Sequence, residues 1–196
     1  MRRIWLLLLI CALGAWFAWR DRSIERAPGV LAPDAPRQQL LDGAAPPFRK
    51  DRYEIKALAA FVVEARVLGR ENYRFDAGAE LAPMDLALGW GPMSDSAVLA
   101  QITVRQGSRF YYWHTATFPI PRRDIETHSA NMHLIPASRA VADQLKSVRT
   151  GQIVHLGGYL VDVRRDDGWR WRSSLSREDT GAGACELVWV ETVALR

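Results

Sequence analysis

The chain has 196 residues, a formal net charge of +4 at pH 7 and two cysteines. That length suits one domain with a terminal appendage, and two distant cysteines exclude a disulfide-scaffold protein. The basic balance does not mark a nucleic-acid binder. Residues 1–52 hold nine Lys/Arg against five Asp/Glu, whereas residues 53–196 hold seventeen of each, so the domain itself makes no footprint for a polyanion.

In chain order, the first element is apolar. After Met1-Arg2-Arg3 no charge interrupts the run from Ile4 to Trp19. At helical rise this covers about 24 Å, slightly short of a hydrocarbon core of about 30 Å. Arg3 and Arg20 can snorkel, and Trp5, Trp16 and Trp19 suit the two interfaces. Residues 1–20 are therefore expected to be a transmembrane signal-anchor, with residues 4–19 in the lipid bilayer. The rival is a cleaved signal peptide. Cutting after Ala12-Leu13-Gly14 would leave about eight apolar residues before the cut and expose Trp16, Phe17 and Trp19, so the uncleaved anchor is preferred. Ile10 before Cys11 argues against a lipoprotein, and Arg2-Arg3 lacks the polar flank of a twin-arginine signal. Arg2 and Arg3 favour a cytoplasmic N-terminus. The expectation is a single-pass protein of the inner membrane with its C-terminal domain in the periplasm.

Residues 21–52 hold five of the ten prolines. Proline withholds amide donors and resists helix, so an extended, mobile linker is expected. Residues 53–196 form the soluble domain, and their dominant period is two. Phe61, Val63, Ala65 and Val67 alternate with other residues. So do Val98, Ala100, Ile102 and Val104, and later Leu187, Trp189 and Val193. Residues 153–163 read as one long strand bent at Gly157-Gly158. Residues 165–168 form a turn, followed by a strand with Trp169 and Trp171 on one face and Arg170 and Arg172 on the other. A single helix is expected after Ser138, with Val141, Leu145 and Val148 inward and Gly151 as its stop. The fold class is mainly β: an OB-like small barrel with one short helix, or a two-sheet sandwich.

Residues 128–137 (His-Ser-Ala-Asn-Met-His-Leu-Ile-Pro-Ala) and 171–186 resemble those of a family of uncharacterised bacterial membrane-anchored proteins. The resemblance spans most of residues 53–193 and implies no catalytic residue.

Four groups carry candidate chemistry. In a strand, Ser129, Asn131 and His133 share one polar face that could line a cleft. They make a poor metal site, because His128 and His133 point to opposite faces of a strand and lie about 140° apart on a helix. Residues 173–186 form a long polar connection. Gly181 and Gly183 could turn amides toward an anion beside Arg177, or Arg177 and Asp179 could simply pair. Asp179-Thr180-Gly181 has the letters of an aspartic protease triplet but follows polar residues rather than an apolar strand. Cys185 could act as a nucleophile if His133 and Asn131 met it, or be a small buried apolar residue. Residues 109–114 with Trp90, Trp169 and Trp171 could stack on a ligand or complete the core.

No set is a complete catalytic constellation, and no cofactor or metal signature is present. The leading expectation is a periplasmic binding or envelope-assembly module that captures an envelope protein or small ligand through Ser129, Asn131, His133, Arg177, Asp179 and Trp171. The alternatives are a hydrolase using His133 with Cys185 or Asp179, and a passive subunit of a membrane complex. The oligomeric state is left open.

Overall fold

The computed structural model describes Trp5 and residues 22–43, 46–176, 178–179, 181 and 183–196. The expected anchor falls, apart from Trp5, outside the described residues, as does Arg177. Among the described residues no helix is long and apolar enough to cross a membrane.

The described domain is mainly β. Its spine is β3 (Tyr53–Asn72), in which every second side chain from Tyr53 to Val67 is buried. The register shift between Ala57 and Ala59 divides these side chains: Ala59 to Val67 join one core cluster, and Tyr53 and Ile55 another. β3 pairs antiparallel with β4 (Met84–Gly89) through its last seven residues. β4 pairs with β7 (Ser129–Pro136), which runs parallel to β10 (Glu186–Leu195). β10 pairs with β8 (Ile153–Arg165), and β8 returns to β3 over residues 53–66. The path of pairings therefore comes back to its start. Three short strands flank it: β1 (Arg37–Leu40) and β2 (Phe48–Lys50) lie on β3, and β9 (Arg170–Arg172) lies on β8. β5 (Thr103–Gly107) and β6 (Phe110–His114) form a separate hairpin.

The inner faces pack Phe61, Val63, Leu86, Leu88, Met132, Leu134, Leu156, Leu160 and Val188 into one cluster. Each large apolar side chain buried there contributes about 1.5–3 kcal/mol. A second cluster on the outer side joins Tyr53, Ile55, Leu81, Ile135, Val161 and Leu187, with Trp169, Trp171 and Trp189 against it. Gly157 and Gly158 lie opposite the register shift of β10 between Val190 and Thr192.

The expected helix is present as Arg139–Lys146, capped by Ser138, whose hydroxyl accepts from the Val141 amide. It is not the only helix. Ser96–Leu99 (α1) and Arg122–Thr127 (α2) precede it, so Arg139–Lys146 is α3. Neither added helix completes two turns, so neither displays a helical period in the sequence. The alternation of Val98, Ala100, Ile102 and Val104 predicted strand. The structure begins a helix there instead, because the Asp95 carboxylate accepts the Ala97 amide as its cap. Strand starts only at Thr103.

The segment expected to be a mobile linker is extended, but it lies on the domain. Ala32 is fully buried, β1 and β2 each add to the edge of β3, and Ile24 donates its amide to Thr150 O at 2.8 Å.

Candidate functional site

Strand β7 forms the floor of the site. Its Ser129, Asn131 and His133 share one face, and all three are buried. Such a polar row survives only if each group is partnered. Ser129 Oγ donates to Ile125 O at 2.6 Å and lies 3.0 Å from the Tyr111 hydroxyl. Asn131 Oδ1 accepts from Gln106 Nε2 at 2.7 Å, and its amide donates to Arg109 O at 3.0 Å. Asp85 on β4 sits opposite His133 in register, and His133 Nδ1 is 2.9 Å from Asp85 Oδ2. That contact has the length of a hydrogen bond but not its direction. The His133 ring also packs on Trp171 at 4.6 Å between centroids.

The β5–β6 hairpin covers this floor. Its turn residues Ser108 and Arg109 both have positive φ, at 52° and 70°, the geometry that matches the twist of a two-residue hairpin. The turn throws Arg109 across the strands. Its guanidinium reaches Asp85 Oδ1 at 2.8 Å and grips both oxygens of Asp76, at 2.8 and 3.0 Å. It also stacks 3.8 Å from the centre of the Tyr73 ring. Asp85 has no exposed side-chain surface, so Arg109 supplies the counter-charge that a buried carboxylate needs. Burial raises the affinity of Asp76 for its proton. The hydrogen bonds from Arg109 and the Gly78 amide outweigh this and hold its pKa below the ordinary value.

The connection 173–186 forms the opposite wall. Its ends are tied by Ser174 N donating to Cys185 O and Leu187 N donating to Ser173 Oγ, both at 3.1 Å. Ser174 Oγ donates to Asp179 Oδ2 at 2.5 Å. The proposed pairing of Arg177 with Asp179 lies outside the described residues. Between this wall, the hairpin and β7 lies a cavity of about 580 Å³. Trp90, Tyr111, Trp113 and Phe118 give it aromatic walls. Ser129, Asn131, Asp179, Cys185 and Glu186 add polar groups. A second cavity of about 460 Å³ adjoins it through Phe110 and Cys185, and holds His133, Arg109, Trp169 and Trp171. The two segments singled out in the sequence therefore converge. Ser129, Asn131, Asp179 and Cys185 share the first cavity, and His133 and Trp171 the second.

The chemistry available is unequal. Burial, followed by the Glu186 and Asp85 carboxylates, pushes the Cys185 thiol up to about 12. It is a protonated thiol at neutral pH; it donates to Arg109 O at 3.9 Å and also interacts with the Asn131 side chain. A nucleophilic thiolate needs the opposite surroundings. Carboxylates of Glu126, Asp179 and Glu186 line the aromatic cavity, which disfavours the anion nest at Gly181 and Gly183. No cluster of three or more His, Cys, Asp or Glu among the described residues has metal-holding geometry.

Sequence reading missed Asp85, Gln106, Asp76 and Tyr73. Only Asp85 left a signal, as a lone charge in the otherwise apolar Met84–Gly89 strand. The fold and site together define a mainly β domain with a clamped polar floor beneath two joined clefts. Comparison with protein families, curated proteins and solved structures gave no match to this chain.

Proposed function

We propose that the chain is a membrane-tethered binding module of the bacterial envelope. In this reading an OB-like five-stranded barrel presents the aromatic cleft to a ligand in the periplasm. The observation that carries the proposal is the convergence of Ser129, Ala130 and Asn131 with Ser176, Asp179 and Cys185, far apart in sequence, on one cavity of about 580 Å³. Such a volume is ordinary for a ligand site and wasteful for a passive domain. The OB-like reading is supported by the circuit β3-β4-β7-β10-β8, by the parallel β7–β10 pair, and by α3 lying between β7 and β8. Barrels of that order hold oligosaccharides or oligonucleotides on their second and third strands, between the first and last connecting loops. The corresponding strands here are β4 and β7.

Aromatic walls with carboxylates and no excess of cations favour an envelope glycan over a nucleic acid. The hydrolase reading is weaker, since the Cys185 thiol is held protonated and Asp179 accepts from Ser174. Tryptophan fluorescence of the detergent-purified full chain, titrated with peptidoglycan fragments, tests the proposal. Saturable binding that Trp113→Ala weakens by about tenfold or more is expected. The absence of saturable binding to any fragment would overturn the glycan assignment. In that case a protein crosslinked at the cleft in native membranes would preserve a binding role. A protein crosslinked only elsewhere would not.

A further inference from the structure

A third cavity, of about 420 Å³, lies away from the cleft, beneath the segment that leads out of the apolar run. Residues 22–32 form a strap over it. Arg149 donates to Arg22 O at 2.7 Å, Ile24 N to Thr150 O at 2.8 Å, and Arg26 Nη2 to Arg196 O at 2.6 Å. Further along, Gly29 N donates to Asp95 Oδ1 at 2.8 Å, and Leu31 N and Ala32 N both donate to Ser94 Oγ. At Gly151, where φ is +88°, a side chain would overlap the Ile24 carbonyl. Only glycine lets the strap lie this close.

The floor of this cavity is Arg66 on β3, which is 8% exposed. Its Nη1 donates to Ser94 O at 3.1 Å and to Ser96 Oγ at 2.7 Å. No carboxylate pairs with it among the described residues, and its remaining N–H groups make no hydrogen bond there. Burial lowers its pKa and the nearby charge of Arg26 lowers it further, while the Asp95 carboxylate offsets part of this. A buried guanidinium with no carboxylate in direct contact is costly, and one beside a second cation more so. Arg26 donates to Gly151 O and to Arg196 O, and it pairs with no Asp or Glu side chain among the described residues. Glu25 stands at the same cavity as the one acidic residue. The rest of the wall is apolar: Leu68, Leu99, Ile102 and Val104.

Two cations beside an apolar wall select an anion that carries hydrocarbon. The chain places such anions within reach. From Trp19, the end of the apolar run, to Arg22, the start of the strap, there are three residue steps, a span of at most about 11 Å. We propose that this cavity binds the phosphate of an anionic phospholipid, with Arg66 and Arg26 on the phosphate and Leu68, Leu99, Ile102 and Val104 against the first methylenes. The choice of lipid as the anion's source rests on the membrane-anchor part of the proposed function and is independent of the glycan cleft. The cavity meets β8 at its Ile153 end, where Arg66 pairs with Ile153. The Trp169–Trp171 cleft lies at the Arg165 end, where Arg165 reaches Ala77 O. Lipid capture at one end would therefore aim the cleft away from the bilayer.

The test uses the full chain in a nonionic detergent, titrated with dihexanoyl phosphatidylglycerol, dihexanoyl phosphatidylcholine or inorganic phosphate and read by native mass spectrometry. One phosphatidylglycerol per chain is expected, with Arg26→Gln and Leu99→Asp each weakening retention by about tenfold. Phosphatidylcholine should be held more weakly by a similar factor, and inorganic phosphate at equal concentration should not displace phosphatidylglycerol. No saturable retention, retention unchanged in Arg26→Gln, or equal retention of the two lipids would each overturn the site. Displacement by equimolar phosphate would overturn the lipid assignment and leave a free-anion site. If Arg66→Gln does not fold, Arg26→Gln and Leu99→Asp still decide the matter. Alkaline extraction of native membranes tests the anchor separately, so failure of the anchor and failure of the site are distinguishable.

Discussion

Arg109 and Arg66 are both held largely inside the domain, and their surroundings differ. Arg109 reaches across the cleft floor to Asp85 and Asp76, stacks on Tyr73, and also donates to Ala82 O. Its charge is matched twice over. Arg66, under the strap, has a carbonyl and a hydroxyl but no carboxylate in contact. A cation matched by buried carboxylates is a structural clamp, and removing it strands their charge. A cation left unmatched at the edge of a cavity is spare binding capacity, and removing it strands nothing. The same substitution at the two positions should therefore give very different results.

The largest effect is expected from Arg109→Met. It keeps most of the stem but leaves Asp85 buried without its counter-charge. Breaking a buried pair from one side costs about 3–5 kcal/mol. For a domain of this size that lowers Tm by on the order of 10 °C, measurable by thermal denaturation of the full chain in detergent. Gly151→Ala comes next. Positive φ and overlap with the Ile24 carbonyl together cost about 1–3 kcal/mol. The strap should lift, and the Ile24 amide, now bonded to Thr150 O, should exchange its hydrogen much faster while core amides keep their protection. Arg66→Met is expected to change stability by no more than about 1 kcal/mol in either direction, because two hydrogen bonds are exchanged for relief of an uncompensated buried charge. If Arg66→Met proved as damaging as Arg109→Met, the two sites would not differ in the way described.

Much of this was legible in the sequence because it depends on local period. Alternation in residues 61–67 marked β3, the spacing of Val141, Leu145 and Val148 marked α3, and the polar odd positions Ser129, Asn131 and His133 marked the cleft floor. What escaped depends on contacts between distant residues. Arg109 looked like the end of an aromatic run, since nothing nearby in sequence shows that a hairpin turn swings it onto Asp85, 24 residues away. The prolines of residues 21–52 implied an extended linker, and two short strands, Arg37–Leu40 and Phe48–Lys50, lie within it. The prolines could not reveal docking, because the partners of the strap lie far downstream: Ser94 and Asp95 by more than sixty residues, Thr150, Gly151 and Arg196 by well over a hundred. The period itself misled at residues 98–104, where the Asp95 cap and a helical turn overrode an alternating pattern.

The smallest effect expected is on acid sensitivity, and it separates the two regions by sign and size. Burial pushes the pKa of Asp76 up, but Arg109 and the Gly78 amide push it further down, so the folded value lies below the ordinary 3.8. A carboxylate with a depressed folded pKa contributes stability that is complete above its unfolded value and is lost as pH falls through the folded value. Wild type should therefore lose stability as pH drops below 3.8. Arg109→Met removes the main cause of the depression, so the Asp76 contribution should shrink and the acid limb become shallower. It should not vanish, because Asp162 is also depressed: burial raises it, but Arg170 and Arg172 lower it more. On the strap side, the Gly29 and Ala97 amides lower Asp95, but that carboxylate is exposed and screened, and its protonation releases only a cap. Arg66→Met should leave the acid limb nearly as in wild type. Denaturation midpoints of the three proteins between pH 2.5 and 6 give the comparison. A limb equally shallow in both variants would mean that Asp76 draws its low pKa from something other than Arg109.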